Sequence, residues 1–202
     1  MSLKFANNNS LSAITSLPAA ITGGAMTLIS TQTASSSSTI SFTSGIDDTY
    51  DEYVFKFYDI HPATDQKHFQ VNFRDGGSNY DATKTTTIFE AYHAEDDSGA
   101  ALQYTDARDL ASSTSAQRLS DSTGNGNDES CSGTLHLFDP SSTTFVKHFM
   151  ARVQNYQGDG DGYSIQHFVA GYCNVTAAID GVQFSFDSGN IDSGTIKLYG
   201  VS

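Results

Sequence analysis

Gly194-Thr-Ile-Lys-Leu-Tyr-Gly-Val201 alternates apolar and polar residues in steps of two. A strand places successive side chains on opposite faces, so this spacing predicts a half-buried strand. Moving outward from it towards residue 26, similar short runs recur every dozen or so residues. Gly, Ser, Asn and Asp separate them, and no amphipathic helical period interrupts. The pattern predicts an all-β, antiparallel two-sheet sandwich of jelly-roll or Greek-key type.

The individual runs are as follows. Ala25–Thr31 and Thr39–Thr43 flank the polar Ala34–Ser38 tract. Tyr53–Ile60 is the strongest run: Tyr53, Phe55 and Phe57 fall on one face, and Val54, Lys56, Tyr58 and Ile60 on the other. Phe69, Val71 and Phe73 alternate with Gln70, Asn72 and Arg74, and Asp75-Gly76-Gly77 reads as a tight turn. Thr86–His93, Ala101–Tyr104, Ser130–Phe138, Thr144–Gln154, Ser164–Asn174, Gly181–Phe186 and Gly194–Val201 complete a set of about ten strands. They are expected to be joined by sequential hairpins with a few long excursions. Residues 94–129 read mostly as loop, and loops of that length in compact domains are functional or mobile.

Composition agrees with this fold. The chain has 202 residues, which suits one domain. Only 38% are hydrophobic, but 13 Phe and 10 Tyr let few side chains bury a large area. The net charge of −13 disfavours nucleic acid, whose affinity rests on Lys and Arg, and it disfavours anionic membrane surfaces. No run approaches the length of a membrane helix. The polar start Met1-Ser-Leu-Lys-Phe5 lacks the apolar core of a signal peptide. The expectation is synthesis in the cytoplasm without an export tag and release as part of a particle.

Residues 1–24 stand apart from residues 25–202, which read as a single sandwich domain. Phe5, Leu11, Ile14, Leu17 and Ile21 recur at three- and four-residue spacing, ended by Pro18 and Gly23-Gly24. A frayed terminus is one reading. An arm that docks its apolar residues on a partner is the other, and the five apolar side chains favour it.

Chemistry-bearing motifs are sparse. In Gly158-Asp-Gly-Asp-Gly162, Asp159 and Asp161 are spaced as weak candidates to share a Ca²⁺ ion, but the twelve-residue loop and closing Glu of an EF-hand are absent, and a plain hairpin turn is the favoured account. His136, His148 and His167 sit mid-strand and would converge only if their strands pair; a solvated sheet face is the plainer account. Cys131 and Cys173 fit no metal spacing and form a disulfide only if their strands are neighbours. Glu52, Glu90, Glu95 and Glu129 show no pairing of the kind a glycosidase needs, and no nucleophile elbow or phosphate loop occurs. No cofactor is expected. Tyr80, Tyr92, Tyr104, Tyr156 and Tyr163 lie at strand ends or in loops, where aromatic rings can stack on sugars or form a core rim or a subunit interface.

Ser188-Gly-Asn-Ile-Asp-Ser-Gly-Thr-Ile-Lys-Leu-Tyr-Gly200 resembles the end of a group of small β-rich virion proteins of marine tailed bacteriophages. Leu28–Ala34 with Thr43–Ile46, Glu52–Phe57 with Asp59-Ile-His-Pro62, and Ser132–Phe138 resemble the same group. The resemblance implies a non-enzymatic structural protein of a virion, a homotrimer displayed on the particle. It would be a tail fibre or tail-associated adhesin, or a capsid decoration or head fibre. Its partners would be copies of itself, other virion proteins and a host surface glycan. A carbohydrate-binding module and, further off, a glycan hydrolase are the alternatives.

Overall fold

The computed structural model describes residues 26–158 and 162–202. The proposed anchoring residues Phe5, Leu11, Ile14, Leu17 and Ile21, and the Ca²⁺ candidates Asp159 and Asp161, lie outside the described residues.

The described chain is all β, with twelve strands and no helix. They are β1 (Thr27–Thr33), β2 (Ile40–Phe42), β3 (Glu52–Pro62), β4 (Phe69–Arg74), β5 (Lys84–Ala94) and β6 (Ala100–Tyr104), then β7 (Gln117–Arg118), β8 (Cys131–Phe138), β9 (Lys147–Gln157), β10 (Tyr163–Cys173), β11 (Gly181–Phe186) and β12 (Ile191–Val201). Eight strands form one sheet in the order β1-β12-β3-β8-β9-β10-β5-β6, and four form the other in the order β2-β11-β4-β7. Every pairing is antiparallel. The result is the expected two-sheet sandwich.

The connections differ from the expected run of sequential hairpins. Only β5–β6, β8–β9 and β9–β10 pair with their sequence neighbours, while β1 pairs with β12 and β2 with β11. The consecutive strands β8, β9 and β10 lie beside β5, which gives a Greek-key arrangement whose long connection comes first. Asp75-Gly76-Gly77 turns, with both glycines at positive φ, but it leads the chain across to the other sheet rather than into a hairpin.

Two local departures share one cause. Ile60 was expected opposite Phe57, yet both are buried in the core. The register slips between Phe57 and Ile60, and Asp59 adopts φ +50°, so a bulge returns Ile60 to the inner face. Across from it, β12 begins at Ile191 rather than Gly194, because Gly194 is a bulge within the strand and not its start. β9 begins later than expected, at Lys147, since the Ser142 hydroxyl accepts the backbone N–H of Phe145 and turns the chain first.

Phenylalanine builds the core between the sheets. Phe184 from β11 lies within 5.1–5.7 Å, ring centre to ring centre, of Phe57, Phe55 and Phe69. Phe42 closes the cluster from β2, and Phe73 meets Phe149 at 4.8 Å nearer one end. Edge-to-face, tilted and stacked rings at these distances add to the burial of each side chain. Cys131 and Cys173 are buried and unpaired, on strands separated by β9. Burial pushes both thiols up to about 12.

Candidate functional site

The inner face of the eight-stranded sheet is apolar along most of its length but turns polar towards one end of β5, β9 and β10. There Glu90 of β5 and His167 of β10 stand opposite each other in register, and Asn155 of β9 is nearby. All three are buried. The alternation that sends Ile88 and Val169 into the core sends Glu90 and His167 there as well. Such groups persist in an interior only when paired.

The partners come from the crossover after β6, part of the stretch that reads as loop. Arg108 sits between two carboxylates, donating through Nη1 to Glu90 and through Nη2 to Asp121. His167 Nδ1 lies 3.3 Å from Glu90 Oε2, within ion-pair reach though off hydrogen-bond geometry. Its Nε2 faces the backbone N–H of Asp121 at 3.2 Å. Asn155 Nδ2 donates to the Asp121 carbonyl at 2.7 Å, and His68 Nδ1 lies 2.6 Å from the Asp121 carboxylate. Gln103 of β6 donates to Glu90 at 2.8 Å.

Gln117 completes the support. It accepts from the Thr86 hydroxyl at 2.6 Å and donates to the Arg108 carbonyl, which fixes the crossover on the sheet. It also explains why β7 escapes a hydrophobicity-based reading: this strand is two polar residues long, and its one buried residue, Gln117, is held by hydrogen bonds. Burial alone would raise the pKa of Glu90 and of Asp121. For Glu90, the His167 imidazole beside it, the Gln103 hydrogen bond and the charge of Arg108 outweigh it and hold the group below the usual carboxylate range. For Asp121, His68 and Arg108 do the same.

Above this network opens a cleft of about 310 Å³. Glu90, Arg108 and Asp121 form its floor, Gln103 and Gln157 its polar sides, and Tyr92, Tyr163 and Ile165 its wall. The Tyr92 and Tyr163 rings meet nearly at right angles, 76°, with centres 6.0 Å apart.

Of the five tyrosines singled out in the sequence, the structure brings together only Tyr92 and Tyr163. Tyr104 pairs with Phe89 on the outer face of the same sheet, where its hydroxyl donates to Asp109. Tyr156 alternates away from buried Asn155 and lies beside Glu95. Tyr80 packs near the Arg74 guanidinium, 5.8 Å from ring centre to Cζ, in the connection after β4. The histidines do not converge either. His136 and His148 face outward, whereas His167 is fully buried, which corrects the expectation of a solvated face for all three. Among the described residues, no cluster of three or more His, Cys, Asp or Glu side chains is placed to hold a metal. Sequence reasoning also missed Glu90, Arg108 and Asp121, whose partners are distant along the chain.

A second feature lies on the outer face of the eight-stranded sheet. Phe89 and Phe168 stack flat, with centres 4.7 Å apart and planes 6° from parallel, and Arg152 lies 5.1 Å from the Phe168 ring centre. Met150, Leu102 and Tyr104 are also exposed on this side, Leu102 at 72%. A shallow groove of about 550 Å³ runs across it, lined by Phe89, His136, Met150, Phe168 and the small residues between them.

Compared with known proteins, the chain matches no family model and no curated protein sequence.

Proposed function

We propose that this chain is a non-enzymatic structural protein of a bacteriophage virion, a β-sandwich displayed on the particle as a tail fibre or tail-associated adhesin, or as a capsid decoration or head fibre. In this reading the residues before 25 anchor it. The observation that carries the proposal is the outer face of the eight-stranded sheet. Phe89, Leu102, Tyr104, Met150 and Phe168 gather there, and among the described residues no strand of the second sheet lies above them. Apolar groups collected on one face mark interaction surfaces, and symmetric copies of a chain bury such faces against each other. The partner assigned to it is the same chain, in a homotrimer. The resemblance of the C-terminal stretch and of three others to virion proteins supports the same reading.

Mass spectrometry of purified virions, followed by immunogold labelling, tests it. Gold on the head would identify a decoration or head fibre, and gold on the tail a fibre or adhesin. Absence of the chain from purified virions would overturn the proposal.

A second reading, a carbohydrate-binding module, is favoured by the polar cleft. A glycan hydrolase would need one carboxyl group protonated at working pH to act as an acid. Arg108 holds Glu90 and Asp121 ionised together, which favours binding over turnover.

A further inference from the structure

We infer that the cleft over Glu90 and Asp121 binds one neutral pyranose ring, the terminal residue of a glycan, gripped by Tyr92, Tyr163, Gln103, Gln157 and Arg108. The inference rests on the carbohydrate-binding reading and makes it specific; it does not depend on virion membership.

Size is the first argument. About 310 Å³ is at the small end of ligand pockets, which suits a single ring better than a chain. The second is the mixture of donors and acceptors. A sugar hydroxyl both donates and accepts, so it needs both kinds of partner. Gln103 spends its amide N–H on Glu90 and keeps its carbonyl oxygen free of bonds to described residues. The hydroxyls of Tyr92 and Tyr163 and the amide of Gln157 likewise carry no bond to a described residue. Arg108 has N–H groups beyond those held by the two carboxylates.

Shape is the third argument. Two rings set at 76° make a corner. One ring face can lie against the C–H face of a pyranose while the other presents its hydroxyl edge. The fourth is charge. Arg108 and Arg118 already balance the two carboxylates, so the cleft has, among the described residues, no surplus cation for a carboxylate or phosphate ligand, such as a sialic or uronic acid. Arg108 already stands where a metal ion or an amine would sit between those carboxylates. A neutral polyhydroxyl ligand answers both constraints. Finally, the floor is rigid. The Glu90 side chain is 4% exposed and is held by three partners, so its geometry is fixed before the ligand arrives.

The test uses the full chain in titration calorimetry and saturation-transfer NMR. The neutral probes are glucose, galactose, mannose and N-acetylglucosamine; the anionic probes are N-acetylneuraminic acid and glucuronic acid. We expect saturable binding of at least one neutral sugar. Tyr163→Ala and Gln103→Ala should each weaken it by about tenfold or more while the melting temperature is kept. Phe145→Ala, an exposed residue near the start of β9 and far from the cleft, should leave it unchanged. Binding of the anionic sugars alone would overturn the neutral-ring assignment and keep the carbohydrate reading. No sugar bound at tens of millimolar would sink both. Binding that survives Tyr163→Ala and Gln103→Ala would place the site elsewhere and overturn the inference.

Discussion

Arg108 and Lys84 are two cations in contrasting surroundings. Arg108 bridges two buried carboxylates and is, among the described residues, the one arginine that touches both, Arg118 reaching only Asp121, at 3.6 Å. Removing one partner of a buried ion pair costs about 3–5 kcal/mol, so Arg108→Met should destabilise the fold by that order near neutrality. Because Glu90 and Asp121 are held below 4.5 and 3.8, their contribution is present above those values and is lost as pH falls through the folded-state values. The gap between wild type and Arg108→Met should therefore close in acid. Urea unfolding across that range checks it, and a gap independent of pH would refute the assignment. Lys84 is fully buried, donating to Asn72 Oδ1 and the Ala82 carbonyl, and burial pushes its pKa down to about 8 from 10.5. Below 8 the folded state carries a buried charge that the unfolded chain hydrates freely. Between 8 and 10.5 the unfolded state binds more protons, so stability rises with pH in that window. Relative to Lys84→Met, the wild type should gain stability from pH 8 to 10; parallel curves would show that the amine is not desolvated. Neither behaviour was legible in the sequence, where Lys84, Arg108 and Glu90 look like ordinary surface residues.

At the scale of elements, the facing irregularities of β3 and β12 determine which residues reach the core. Gly194 has φ +120°, and a Cβ there would meet the Asp59 carbonyl oxygen at 2.6 Å. Gly194→Ala should cost about 1–3 kcal/mol, the usual range for forcing a side chain into that conformation. Gly99→Ala has its nearest neighbour at 4.0 Å and should change stability by less than ~0.5 kcal/mol. Thermal melts of the two variants check the contrast; equal effects would remove the bulge from the explanation. Period-two alternation identified β3, β4, β8 and β10 because each has one core face and one outer face. It misplaced Ile60 because a bulge adds one residue without leaving a mark in hydrophobicity. It found Tyr92 and Tyr163 as strand-end aromatics, but their meeting depends on the register of β5 with β10, which no local pattern carries.

At the scale of the whole molecule, the two faces of the large sheet divide the roles proposed for it. The inner face packs on phenylalanines and ends in the polar cleft; the outer face, among the described residues, is uncovered and apolar around Phe89 and Phe168. If copies associate through that outer face, Phe89→Asp should convert the oligomer to monomer in light scattering while the melting temperature is kept. An unchanged mass would exclude this face as the contact. High salt should strengthen association, since a net charge of −13 repels like copies and that repulsion is screened as the Debye length falls to about 3 Å at 1 M. The all-β class, the two-sheet sandwich and most strand positions are legible from residue order alone, because they follow from local alternation, turn residues and aromatic content. The pairing of β1 with β12 and of β2 with β11, and the meeting of Glu90, His167, Arg108 and Asp121 under one cleft, emerge only in the folded chain. Those are contacts between residues far apart along the chain, set by strand register and by charges that are stable in the interior only when paired.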